Sequence, residues 1–130
     1  MIVVDASLVL DLIIVTPAAK DIQLKLAAAD KPLHAPEVLD LEVLQALRRQ
    51  LRLKHLSPER AGIALEIFNS LPIKRESHQR LIARIWALRD NLTAYDAAYI
   101  ALAEAMEAPV WTRDRKYVGA AIHRAEVVVL

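Results

Sequence analysis

The 130 residues contain no cysteine, which removes disulfides, thiolate metal ligands and cysteine nucleophiles and is compatible with a reducing compartment. Glycine is nearly absent, at two residues. That scarcity, with 55% apolar and 25% charged residues, describes a compact, helix-rich globular domain and excludes disordered or fibrous chains. An excess of charge is also missing: 17 basic residues oppose 16 acidic ones. The chain therefore lacks the broad positive field of a DNA-coating protein, although a local basic patch stays open. Long apolar runs are lacking too. The opening MIVVDASLVLDLIIV is interrupted by Asp5 and Asp11 and has no basic segment before it. No run reaches the ~20 residues of a membrane-spanning helix. A soluble cytoplasmic protein is expected, folded as one domain over residues 1–130. At this length folding buries roughly two-thirds of the unfolded chain's surface.

What is present alternates between strand and helix patterns. IVV at 2–4 is a short continuous aliphatic run, the signature of a strand covered on both faces, with Asp5 at its C-terminal end. Ser7 is the expected cap of a helix to about Val15, Thr16-Pro17 the start of a second helix, and Asp30-Lys31-Pro32 its end. LHA at 33–35 reads as a brief strand. From Pro36 the pattern is helical, with Leu44, Leu47 and Leu51 on one face and arginines gathered toward the C-terminal end. Ser57-Pro58-Glu59 opens another helix. LPIK at 71–74 reads as a strand, 77–88 as a helix, and Asp90-Asn91 as a turn before the helix that carries Asp96. PVWT at 109–112, a short helix and EVVVL complete the series. Such alternation predicts a three-layer α/β/α sandwich on a mostly parallel sheet.

In open parallel sheets the ligand crevice lies beyond the C-terminal strand ends. Asp5 and Asp114 follow strands directly; Glu42 and Asp96 lie in the first turns of helices that follow strands. Each has a structural reading. Thr93-x-x-Asp96 resembles a capping box, Asp5 suits a turn with Ser7, Asp114 has Arg113, Arg115 and Lys116 as surface partners, and Glu42 fits an exposed helix position. Their convergence carries the functional reading. Two like charges at ~4 Å repel by ~4 kcal/mol at an effective dielectric of about 20, so several carboxylates in one pocket require a cation or protons. Oxygen-only ligands suit Mg²⁺ or Mn²⁺, and the chemistry then open is attack of a metal-activated water on a phosphodiester.

At these residues the sequence resembles the PIN-domain ribonucleases, most closely the VapC toxins of type II toxin-antitoxin pairs. The segments VVDASLVLDL, PEVLDLEVLQALRR, LTAYDAAYIALAEA and VWTRDRKY carry it in the family's order. The resemblance implies a PIN fold with an acidic cluster of Asp5, Glu42, Asp96 and Asp114, in which Asp5 and Asp96 match the principal acids for Mg²⁺ or Mn²⁺. It further implies Ser7 and Thr112 as hydroxyls supporting the carboxylates, RNA as substrate, a homodimer, and a cognate VapB antitoxin. Gln45 departs from a frequent Asn, and Tyr117 from the usual Leu.

Arg113, Arg115 and Lys116 are the candidates for steering RNA. Arg48, Arg49, Arg52 and Lys54 read as a solvated helix end, with contact to phosphate or an acidic partner as the alternative, and Trp86 and Trp111 as packing residues, with base stacking the alternative for an exposed Trp111. His34, His55, His78 and His123 show no metal-ligand spacing. The Leu-rich stretch 38–68 offers either core or a groove for an antitoxin helix or a second copy. Rival functions are a Mg²⁺-dependent phosphohydrolase or phosphoacceptor domain, expected to pair acids after the first strand and to carry a dedicated lysine, and a non-catalytic PIN-like interaction module.

Overall fold

A computed structural model of the chain describes residues 1–118 and 123–130. Among these residues five strands, β1 (Ile2–Val4), β2 (Leu33–Pro36), β3 (Ile73–Glu76), β4 (Val110–Thr112) and β5 (Val127–Val129), form one sheet in the order β3-β2-β1-β4-β5. All four pairings are parallel, where a mostly parallel sheet was expected. Ile2, Val3 and Val4 are all buried; because successive strand residues point to opposite faces, helices cover β1 on both sides. In register, Val3 lies opposite His34 on one side and Val110 on the other. The chain builds outward from β1 through β2 to β3, then crosses to the other side of β1 for β4 and β5. The C-terminal ends of β1 and β4 therefore flank the topological switch point, where such sheets open a crevice.

Among the described residues six helices connect the strands: α1 (Ala6–Ile14), α2 (Ala19–Ala29), α3 (Val38–Arg52), α4 (Pro58–Ser70), α5 (Ile82–Ala87) and α6 (Ala94–Met106). Alanines make α6 narrow enough to sit deep in the molecule, with Ala97 through Ala103 buried without interruption. It packs on β1 and β2 with α5 alongside, while α1 packs with α2, α3 and α4. A helix that feeds a parallel strand runs against the sheet, so its first turn lies at the C-terminal edge of the strands. Asp96 occupies that first turn.

Helix ends follow from glycine's scarcity. α1, α2 and α6 stop at Val15, Asp30 and Glu107, each in the left-handed region with φ of 59°, 47° and 51°, a conformation that glycine adopts most cheaply. The start of α1 corrects the expected cap: Asp5, not Ser7, accepts the Leu8 N–H, since its carboxylate is the buried group that needs donors. Thr16-Pro17 does not open α2. Thr16 Oγ1 donates instead to Asp11 Oδ1 at 2.9 Å, and the helix begins at Ala19. Ser57 caps α4 as expected. β3 lies two residues beyond the expected 71–74 because the chain enters the sheet only after Pro72, which has no N–H for a ladder. The helix expected at 77–88 divides into a 3₁₀ turn at Gln79–Leu81 and the short α5.

Candidate active site

Asp5 ends β1 with no accessible surface, and an ionised carboxylate in such a place must find donors or partners. The segment supplies two on Oδ1: the Leu8 N–H at 3.2 Å and Ser7 Oγ at 2.7 Å. The neighbouring strand β4 supplies the third, Thr112 Oγ1, which donates to Oδ2 at 2.6 Å. The two hydroxyls also accept from the loop after β4: Ser7 Oγ from the Arg113 N–H at 3.0 Å and Thr112 Oγ1 from the Asp114 N–H at 2.9 Å. Asp5 is thereby tied to both strands at the switch point.

Asp96 reaches the same place from α6. Thr93 Oγ1 caps the helix by accepting the Asp96 N–H at 3.2 Å, and the Asp96 side chain remains turned to the crevice. There the ammonium of Lys116 stands 3.0 Å from Asp96 Oδ1 and 4.0 Å from Asp5 Oδ2. Burial pulls this lysine's proton affinity down; hydrogen bonding and charge from Asp96, with the charges of Asp5 and Glu42, outweigh it and hold the pKa above the ordinary value. Glu42, half-buried on α3, accepts the Tyr99 hydroxyl at 2.6 Å on Oε1. Burial raises the Glu42 carboxyl above its usual range; Tyr99 and Lys116 oppose that rise, while Asp96 and Asp5 add to it. Glu42 thus senses both aspartates electrostatically.

Asp114 lies at the rim. It is exposed, and its Oδ1 accepts the Lys116 N–H at 3.0 Å, capping a 3₁₀ turn at Arg115–Tyr117. Of the three cations expected to steer RNA, Lys116 points inward between the aspartates. Arg113 pairs with Asp11 Oδ2 at 2.7 Å and with the Leu130 carbonyl at 2.6 Å, and Arg115 is exposed.

The family model for the PIN domain matches residues 2–122. The chain belongs to the PIN-domain family. Ribonuclease VapC1 of Mycobacterium tuberculosis is 40% identical to it over 119 residues, covering 91% of this chain and 89% of the relative. Ribonuclease VapC12 of the same organism is 33% identical over 127 residues, covering 98% and 97%. Among solved structures, M. tuberculosis VapC20, described as a sarcin-ricin-loop-cleaving toxin, superposes with a TM-score of 0.69 at 18% identity over 93% of this chain and 95% of its own. VapBC2 from Rickettsia felis, bound to a promoter DNA fragment, gives 0.70 at 15% identity over 99% and 98%. At those identities the likeness establishes the fold, which is the α/β/α sandwich expected.

Whether this PIN domain's residues suit a divalent ion is decided by their donors. Among the described residues no three or more His, Asp or Glu side chains form a ready metal-binding group. Two carboxylates do face one cation, the Lys116 ammonium. A pair of oxygen donors around a site already held by positive charge fits a hard divalent ion, which commonly binds through one or two carboxylates and keeps several waters. Asp5 and Asp96 would hold it.

Sequence reasoning passed over Tyr99 here and noted Tyr117 only as a departure from the family's usual Leu. Tyr99 follows Asp96 by three positions on α6 and so shares its face, a spacing that could have drawn it in. Tyr117 is fully buried, and its hydroxyl has no hydrogen-bond partner among the described residues; burial, then the charges of Asp5 and Asp96, drive its pKa upward. Trp86 corrects another expectation. It is 66% exposed and stacks under the Arg89 guanidinium, 4.6 Å from the ring centroid, because α5 is a short helix none of whose residues is buried. Among the described residues no helix is long and apolar enough to cross a membrane.

Proposed function

We propose that this PIN domain is the toxin of a type II toxin-antitoxin pair, an endoribonuclease that hydrolyses RNA phosphodiester bonds with a divalent metal, Mg²⁺ or Mn²⁺. One observation carries the reading: Asp5, at the end of β1, and Asp96, at the start of α6, converge on a single cation in the switch-point crevice. The identity to ribonucleases named VapC supports RNA as the substrate. A bound metal supplies an activated water and neutralises charge on the phosphoryl oxygens.

The chain's own residues do the rest. Ser7, Thr112 and the Leu8 N–H hold the Asp5 carboxylate in one orientation, leaving Oδ2 the oxygen that faces the site. Tyr99 fixes Glu42 by Oε1, and Glu42 is the residue that would hold or pass a proton in the reaction. Asp114 completes the acidic cluster at the rim, and Arg113 and Arg115 draw the RNA backbone toward it. The phosphoacceptor alternative gains its lysine in Lys116, yet Asp5 is followed by Ala6 and Ser7 and so lacks the second strand-end acid. Family membership favours the nuclease.

The partners follow from the same reading: a VapB-type antitoxin and a second copy of the chain. Exposed Leu41 and Leu44 on α3 and Tyr95 on α6 line a groove of about 750 Å³ with Arg48 and Arg49, and Ile82 and Trp86 on α5 are further exposed apolar side chains. We assign these faces to the two partners. Purified protein incubated with RNA and Mn²⁺, with and without EDTA, tests the activity. Cleavage is expected only with metal, and Asp96→Asn is expected to abolish it while stability stays within a few kcal/mol. Cleavage that persists in EDTA or in the variant removes the metal reading.

A further inference from the structure

Lys116 is anchored at its backbone and ion-paired at its tip. Its N–H is fixed by Asp114 Oδ1 at 3.0 Å, and its side chain, 29% accessible, runs inward past the Tyr117 ring to the two aspartates. Asp5 spends both oxygens on Ser7, Leu8 and Thr112, so the ammonium faces the side of Oδ2 that those donors leave open. Among the described residues, the Asp96 carboxylate has no side-chain partner other than this lysine.

A divalent ion held by the same carboxylates needs their oxygens at about 2.1 Å. An ammonium 3.0 Å from Asp96 Oδ1 would then stand beside a second, stronger cation while competing for the same lone pairs. Two positive charges ~4 Å apart repel by ~4 kcal/mol at an effective dielectric of about 20, which opposes their sharing the crevice. Lysine is suited to yield, because its compact charge rides on a flexible four-carbon stem, whereas an arginine fork would be held in plane by paired hydrogen bonds.

We propose that Lys116 is a tethered counter-ion: it occupies the divalent ion's place in the metal-free protein, holds Asp5 and Asp96 together there, and swings out when the metal enters. The inference rests on the metal reading above and adds a competitor to it. Because the competitor is part of the chain, dilution does not remove it. The metal-free fold is kept intact, and the metal concentration at which the site fills is set higher than the carboxylates alone would set it.

Calorimetric titration of Mn²⁺ into wild type, Lys116→Met and Asp96→Asn, with thermal unfolding in EDTA and in saturating Mn²⁺, tests this. Lys116→Met is expected to bind Mn²⁺ roughly tenfold more tightly than wild type, to unfold at lower temperature in EDTA, and to lose that deficit in Mn²⁺. Binding that is equal or weaker overturns the counter-ion. If wild type nevertheless binds Mn²⁺ and Asp96→Asn does not, the metal reading survives that failure; if wild type fails to bind, both fall together. Should Lys116→Met not fold without metal, a wild-type crystal grown with Mn²⁺ decides. Lys116 Nζ withdrawn from Asp96 supports displacement, and Nζ still in hydrogen-bond contact with Asp96 beside bound Mn²⁺ refutes it.

Discussion

Replacing Thr112 by valine removes one hydroxyl at nearly constant volume and asks how the core tolerates the Asp5 charge. Thr112 and Asp5 both have no accessible surface, and their contact is a 2.6 Å hydrogen bond. A hydrogen bond to a charged group contributes ~1.5–3 kcal/mol, and its loss leaves the buried acceptor undersupplied. Replacement donors are remote: Ser7 and Leu8 serve the other oxygen, and Lys116 is 4.0 Å away. The Asp114 N–H, which also loses its acceptor, lies on the exposed loop where water substitutes at little cost. The expected loss is therefore about 2–3 kcal/mol. For a chain of this length that lowers Tm by roughly 6–15 °C. Urea unfolding in EDTA measures it: the midpoint of Thr112→Val should fall with an unchanged m-value, and Ser7→Ala should fall less, because Asp5 Oδ1 keeps the Leu8 N–H. A Thr112→Val loss below about 0.5 kcal/mol, the range of ordinary surface substitutions, would show that the hydroxyl does not sustain the buried charge.

Three further outcomes are expected. Folding raises the Glu42 pKa above its ordinary 4.5, chiefly by burial, so its proton favours the folded state in acid, and its ionisation weakens that state as pH climbs through the raised value. In EDTA, Glu42→Gln should exceed wild type in stability near neutral pH by a margin that shrinks toward pH 4.5; a pH-independent margin refutes the assignment. Val15→Gly should stabilise the protein by about 1 kcal/mol, since a β-branched residue at φ 59° is strained where glycine is not, and equal denaturation midpoints would contradict this. Arg115→Gln should reduce the slope of log RNA affinity against log salt by about 0.7, one phosphate contact on a single strand. Arg113→Gln, whose guanidinium already serves Asp11 and Leu130, should change it less; the reverse order would place the RNA path elsewhere.

The strand at 2–4, the capped starts at Ser57 and Thr93, and the alternation that yields a parallel sheet were legible along the chain, because each depends on residues within a few positions of one another. The same locality made four acids visible as strand-end or helix-start residues. Boundaries failed where a distant demand outweighed a local one: Ser7 has the chemistry of a cap, yet buried Asp5 takes that place and draws Ser7 to itself as a donor. Trp86 read as core because its segment is apolar, and only the short, one-sided packing of α5 exposes it.

The sequence by itself determined the elements and the residue types of the site, since hydrophobic period and turn chemistry are local properties of the chain. Tertiary structure alone decided which charge meets which. Lys116 reads as one of a row of surface cations in RDRK, but the crossing of β4 beside β1 and the turn held by Asp114 bring its ammonium between Asp5 and Asp96. Electrostatic energy depends on distance through space, and no spacing along the polymer encodes it.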